Sequence, residues 1–216
     1  MAGLSWEAVI LAGGRGTRLG GCDKASLTGP DGRTCLERAI DACSGASTSV
    51  VVGPRGCDSR VLWAQEQPAC SGPARGIRAG VAALPGGALI GDKHHPINTR
   101  SALRPRQWVL VLACDMPYAS EGIPRLIRAA ESVGTEVDGV VGVADGHRQW
   151  LCALYDKSAL ARACARLLES GQGESVRYLV EDLVLMDQPI PVSAAQDLDT
   201  GEQLRATGFH AHMKER

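Results

Sequence analysis

No two of the eight cysteines in this 216-residue chain form a C-x-x-C pair, which argues against a structural zinc site and against a disulfide framework. Cys114 and Cys152 lie inside apolar runs instead, and Cys35, Cys43 and Cys164 fall at helical spacing with leucine and isoleucine, where a thiol acts as a small core hydrophobe. Neither sign of charge dominates. With 23 basic side chains against 24 acidic ones, the sequence carries no footprint for nucleic acid or a membrane surface, and small molecules are the expected partners. No apolar run approaches the roughly 20 residues that a membrane-spanning helix needs. The opening MAGLSWEAVILAGG lacks the basic region and cleavage site of a signal peptide, so a cytoplasmic protein is expected. No Ser-His-Asp or Cys-His arrangement is recognisable, since His94 and His95 fall in a polar stretch and His210 and His212 near the C-terminal end. The two familiar nucleotide motifs are missing too. There is no G-x-x-x-x-G-K-[ST], and Gly14, Gly16 and Gly20 miss the third position of G-x-G-x-x-G.

What is present reads as an α/β protein. Apolar runs typical of buried strands occur at Ala8 to Ala12, Ser49 to Val52, Trp108 to Ala113, Gly139 to Val143 and Leu151 to Tyr155. Helical patterns separate most of them. Thr34 caps a helix carrying Leu36, Ile40 and Cys43 on one face, and Pro73 opens another with Ile77, Val81 and Leu84. Ile123, Leu126, Ile127 and Ala130 form a third, and Leu160, Cys164, Leu167 and Leu168 a fourth behind the cap Asp156. Strands alternating with helices predict a single doubly wound, mostly parallel sheet. One domain over residues 1–216 is the expected organisation, with a mobile loop at 86–107 and a frayed tail at 208–216.

The most informative stretch is VILAGGRGTRLGGCDKASL, Val9 to Leu27. An apolar strand ends at Leu11, and Gly13, Gly14 and Gly16 then free the backbone to turn and aim amide N–H groups at an anion. Arg15, Arg18 and Lys24 add positive charge beside it, as a triphosphate with about four negative charges requires. A second signal is Asp115, in Cys114-Asp115-Met116-Pro117. It places a carboxylate at the C-terminal edge of a buried strand, where open α/β sheets bind ligands. A lone carboxylate there either holds Mg²⁺ together with phosphate oxygens or caps the turn before Pro117.

The Val9 to Leu27 stretch resembles the signature of the GT-A-like nucleotidyltransferase superfamily, L-A-G-G-x-x-x-R-hydrophobic-G followed closely by a lysine. The short step from Arg18 to Asp23-Lys24 is similar to the molybdenum cofactor guanylyltransferase family within it. The likeness extends over most of the chain: Gln65-Glu66-Gln67-Pro68, Gly72-Pro73 and Gly76-Ile77 resemble that family's E-D-x-P…G-G-P-L-A-G-I segment. Gln149 to Tyr155 resembles its Q-P-L-x-A-L-Y strand, Ser175-Val176-Arg177 its S-V-R, and Asp197-Leu198-Asp199-Thr200 its closing D-x-D-T-P or N-x-N-T-P element. The departures are Ala74-Arg75 for Leu-Ala, Trp150 and Gly201 for prolines, and the length of 86–107.

The resemblance implies a GT-A-like, Rossmann-like nucleotide-diphospho-sugar transferase fold. It further implies an enzyme that moves GMP from GTP to the terminal phosphate of molybdopterin, releasing pyrophosphate. Leu11, Ala12, Gly13, Gly14, Arg15, Gly16, Lys24, Glu66 and Asp115 would bind the nucleotide, and Arg18, Lys24 and Asp115 would act in catalysis. Asp115 and Asp199 would hold Mg²⁺, or Mn²⁺ in its place, with Asp197 the alternative to Asp199. Gln149 and Arg177 would meet the acceptor, and the implied protein contacts are other molybdenum cofactor biosynthesis or acceptor proteins. Alternatives stay open: a CTP-using relative such as molybdenum cofactor cytidylyltransferase, phospholactate guanylyltransferase, or a non-catalytic nucleotide-binding module. Gly14 and Asp23 disfavour the first, because cytidylyl relatives usually read L-A-A-G and lack the aspartate before the lysine.

Overall fold

In the computed structural model, which describes residues 4–14, 19–87, 106–170 and 175–211, seven strands form one sheet. They are β1 (Trp6–Leu11), β2 (Ser49–Val52), β3 (Leu62–Ala64), β4 (Trp108–Ala113), β5 (Gly139–Ala144), β6 (His147–Asp156) and β7 (Leu185–Pro189). The order across the sheet is β3-β2-β1-β4-β6-β5-β7. Only β6 runs against its neighbours. The expected mostly parallel α/β sheet is therefore present.

Helices α1 (Cys35–Ala42) and α3 (Ile123–Ser132) cover one face, while α2 (Pro73–Ala83), α4 (Lys157–Ser170) and α5 (Val176–Leu179) cover the other. A short α6 (Gly201–Thr207) closes the order. Strands covered on both faces are nearly continuous apolar runs, and the one charged residue of β1, Glu7, is buried against Lys157. All six residues of β1 and the first five of β4 are buried accordingly. Among the described residues no helix is long and apolar enough to cross a membrane.

The helix starts follow the side chains that cap them. Thr34 and Glu37 form a reciprocal capping box at α1, and Pro73 opens α2. The Ala159 N–H donates to Asp156 Oδ1 at 2.9 Å at the start of α4. Buried thiols pack as small hydrophobes: burial pushes Cys35, Cys43, Cys152 and Cys164 up to about 12, and Cys114 well above its usual value.

Three features depart from the sequence expectations. The edge strands β3 and β7 were not expected, because Leu62 is exposed and the LMDQP of β7 mixes polar and apolar residues. Strand β6 starts at His147 rather than Leu151. Its pairing with β5 jumps from Val141↔Ala153 to Gly142↔Gln149, so Trp150 to Cys152 bulge, and the buried Tyr155 hydroxyl pins the bulge by donating to the Trp150 carbonyl at 3.0 Å. Phe209 and His210, expected in a frayed tail, are anchored to the rest of the fold. Phe209 is 3% exposed, and His210 exchanges two backbone hydrogen bonds with Thr28. The apolar anchor explains the correction: Phe209 meets Tyr118 edge-on, lies under the Arg38 guanidinium, and joins Leu27, Cys35 and Leu198 in a small core of its own. Residues 212–216, and 88–105 of the expected loop, lie outside the described residues.

Candidate active site

At the C-terminal edge of β1 and β4 an open cleft of about 820 Å³ is bounded on one side by Leu11 to Gly14 and on the other by Ala113 to Asp115. The parallel pairing creates it. The Ala12 N–H donates to the Val52 carbonyl and the Cys114 N–H to the Leu11 carbonyl, so the chains part company only after these bonds. Gly20 and Gly21, at φ 69° and 83°, then turn the glycine-rich loop back toward the sheet in a conformation that side chains disfavour. Arg15, Gly16 and Arg18 lie outside the described residues.

The turn delivers Asp23 and Lys24 to the cleft. Asp23 spends its carboxylate locally, accepting from the Ala25 N–H at 3.1 Å to cap the 3-10 turn Lys24–Ser26. The Lys24 ammonium is therefore not held by its neighbour. It donates to Asp115 Oδ2 at 2.7 Å and to Asp199 Oδ1, joining residues 91 and 175 positions away. Burial by itself would lower the ammonium's pKa. The hydrogen bonds and charges of Asp115 and Asp199 outweigh it and raise Lys24 above its ordinary value.

Asp199 reaches this point because the segment before α6 is tied down. The Leu198 N–H donates to the Asp115 carbonyl at 3.1 Å, Leu198 is fully buried, and the Gln203 side chain accepts from both the Asp199 and Thr200 N–H groups at 2.8 Å. Asp197 has a different neighbourhood. Gln203 Nε2 donates to it at 3.4 Å, and burial, then the charges of Asp199 and Asp115, push its carboxyl above the usual range. Of the two aspartates, Asp199 is the one that shares a cation with Asp115.

Glu66 forms the opposite wall. It is 7% exposed, and its Oε1 accepts from the Cys70 N–H at 2.8 Å. A methyl group built on Gly13 would stand 3.7 Å from the same oxygen, so this carboxylate lies against the glycine-rich loop. Between them opens the N-terminus of α2, whose first turn has no side-chain cap and presents Gly72 and Pro73 to the cleft. Uncapped N–H groups there carry partial positive charge. Cys70 is the wall residue that the sequence did not single out. Its φ of 58° is unusual for a side-chain-bearing residue and leaves no trace in the sequence.

The structure thus brings Leu11, Ala12, Gly13, Gly14, Lys24, Glu66 and Asp115 into one cleft, with Asp199 joined through Lys24. It does not bring Gln149 and Arg177 into that cleft. Gln149 lies on β6 past the point where pairing with β4 ends, its amide donating to the His147 carbonyl at 3.3 Å. Arg177 is exposed on α5, which packs beside β6. Leu151, on the bulge, is the β6 residue that borders the cleft.

Residues 8–185 match the family model of the MobA-like NTP transferase domain. The chain is 31% identical over 176 residues to a molybdenum cofactor guanylyltransferase of Acidiphilium cryptum, covering 78% of this chain and 75% of the relative. To the protein of the same name from Vibrio cholerae it is 27% identical over 168 residues, 76% and 70% of the two chains. Two solved structures share the fold. Molybdopterin-guanine dinucleotide biosynthesis protein A of Archaeoglobus fulgidus has a TM-score of 0.62 at 18% identity, over 93% of this chain and 96% of the other. The 2-C-methyl-D-erythritol 4-phosphate cytidylyltransferase of Francisella tularensis has 0.65 at 11%, over 94% and 98%. A match running from β1 to the first residue of β7, joined by a relative 31% identical over most of the chain, settles the kinship: this chain belongs to the family of MobA-like NTP transferase domains.

Proposed function

We propose that the protein transfers GMP from GTP to the terminal phosphate of molybdopterin, releasing pyrophosphate and forming molybdopterin guanine dinucleotide. The observation that carries this reading is the meeting of Lys24, Asp115 and Asp199 at the mouth of a glycine-rich loop, on the ligand-binding edge of the sheet. The two curated relatives named as guanylyltransferases support the choice of nucleotide and acceptor.

The donor set fits a divalent cation. Two carboxylates converge on one cationic position, and hard oxygen donors suit Mg²⁺ or Mn²⁺. Among the described residues no group of three or more His, Cys, Asp or Glu side chains could hold a metal, so substrate oxygens and water would complete the shell. Bound between Asp115 and Asp199, Mg²⁺ would neutralise charge on the phosphate chain.

The chain's own groups do the rest. An acceptor phosphate oxygen bonds to the α-phosphorus of GTP, the α–β bridging bond breaks, and its electron pair leaves on pyrophosphate. A phosphate is already ionised at neutral pH, so no general base is required. The glycine-rich loop amides and Lys24 hold the triphosphate in line, and Lys24 meets the charge that develops on the leaving group. Arg15 and Arg18 add positive charge from the same loop. Glu66, against Gly13, would accept hydrogen bonds from the base. Gln149 on β6 and Arg177 on α5 lie outside the nucleotide cleft, so in this reading they would meet the acceptor only beyond it.

Pyrophosphate release, measured with each nucleoside triphosphate with and without molybdopterin, tests the proposal. Release that needs both GTP and molybdopterin supports it. The Asp-x-Asp spacing of Asp197 and Asp199 favours one rival, a cytidylyl transfer. Faster release with CTP, or a larger thermal stabilisation by CTP than by GTP, would overturn the guanine assignment in its favour.

A further inference from the structure

Two cations have claims on one position in this site, and only one of them is covalently attached. The Lys24 ammonium lies between Asp115 and Asp199, with side chains of the three residues 22%, 17% and 25% exposed. The ammonium thus stands between two carboxylates whose hard oxygens also suit a divalent ion. A divalent ion would balance both carboxylates and leave the ammonium without a partner. A nucleotide triphosphate supplies that partner, since it brings more negative charge than one divalent ion cancels. The lysine side chain is a flexible stem carrying a point charge, and Lys24 borders the cleft beside Gly13 and Gly14, so a change of rotamer suffices for the transfer.

From this we infer that Lys24 is an internal counter-ion: it occupies the divalent-cation position in the nucleotide-free protein and yields it when nucleotide phosphates take the ammonium. The inference rests on the transferase reading and extends it to the order of events. A tethered charge competes at an effective concentration on the order of millimolar or higher, which keeps bare metal out. Metal and nucleotide therefore enter together, each favouring the other through the displaced lysine. Asp199 gains a second role as well. In the empty site, the Lys24 bridge keeps the segment before α6 pinned to the end of β4, so the carboxylates are already gathered when the ion arrives.

Electron paramagnetic resonance of free aqueous Mn²⁺, titrated with the full chain, tests the exchange. The wild-type protein should bind Mn²⁺ weakly, and a GTP analogue with a methylene α–β bridge should tighten it. Lys24→Met should bind Mn²⁺ without nucleotide about tenfold more tightly than wild type, and the analogue should then add less. Arg38→Met is the charge control. Arg38 acts on Cys35 as Lys24 does, but its guanidinium pairs with Asp31 and touches neither carboxylate of the site. Its Mn²⁺ affinity should stay near that of wild type.

No gain in Lys24→Met, or an equal gain in Arg38→Met, overturns the exchange while leaving the transferase reading intact. Failure of the wild type to bind Mn²⁺ with any nucleotide overturns both. A measurement on the unmutated chain guards against misfolding of the variant. Saturating Mn²⁺ alone should raise acetylation of Lys24, read by mass spectrometry, because a side chain released from both carboxylates is more accessible to the reagent. Unchanged labelling under those conditions also refutes the exchange.

Discussion

Lys157, just after β6, and Lys24, in the 3-10 turn after the glycine-rich loop, both reach carboxylates, but in surroundings that differ in two respects. Lys157, the first residue of α4, stands 2.6 Å from Glu7 Oε2 as an ion pair whose angle falls outside hydrogen-bond geometry, and donates to the Pro85 carbonyl at 2.7 Å. The residues are 9% and 7% exposed, and the charges match one to one. Lys24 faces two carboxylates at the rim of a cleft, where water has access. The first arrangement is closed and balanced, so it serves the fold. The second sets one ammonium between two carboxylates at the rim of an open cleft, which leaves room for a ligand. Burial and the number of carboxylates faced together separate a structural lysine from a functional one better than the presence of an ion pair does.

Breaking each site in turn should separate stability from chemistry. Lys157→Met strands Glu7 in the core and should cost about 3–5 kcal/mol of unfolding free energy. A urea midpoint that falls with an unchanged slope would show it, and a loss under about 1 kcal/mol would erase the contrast between the two lysines. At the other site, Asp115→Asn should lower turnover on the order of several hundredfold. The melting temperature of its ligand-free form should stay within a few degrees. Near-normal pyrophosphate release by this variant removes Asp115 from the cation site.

Lys24→Ala sharpens the contrast further. Turnover should fall about a hundredfold, equivalent to about 2.7 kcal/mol, while GTP affinity falls much less. If binding weakens and saturated turnover holds, Lys24 is an anchor for the ground state only. The smallest effect belongs to Thr200→Ala, which removes the hydroxyl that accepts from the Gln203 N–H at 3.2 Å. It should cost about 1 kcal/mol in stability. A rise in the Mg²⁺ concentration needed for half-maximal rate should accompany it, because Asp199 leans on the same cap.

How far the sequence revealed these sites depended on what each part rests on. The central strands were legible because burial on both faces demands unbroken apolar runs, as in Trp108 to Ala113. The edges were not, since β3 is three residues long and β7 alternates with solvent. Asp115 could be placed from its position after a buried strand. The choice between Asp197 and Asp199 could not, because two residues in an irregular segment differ only by backbone direction, which the Leu198 hydrogen bond to Asp115 sets. The partner of Lys24 was equally hidden. The sequence pointed Lys24 at phosphate, and nothing in it showed that Asp23 would cap the turn and that the ammonium would meet residues far along the chain. The packing of Phe209 was missed for a related reason: one aromatic residue in a polar stretch has no period to betray it.

Phe209 and its neighbours also bear on the timing of assembly. Leu27, one residue beyond the 3-10 turn that starts at Lys24, packs with Leu198 and Phe209, and Thr28 pairs with His210. The glycine-rich loop therefore finds its support in residues made nearly two hundred positions later. Such long-range closure comes late in folding. A nascent chain can form the β1–β2 pair early, yet Lys24 does not meet Asp199 until the segment that holds Leu198 and Phe209 has emerged, so an interrupted translation product would hold the loop without that pairing.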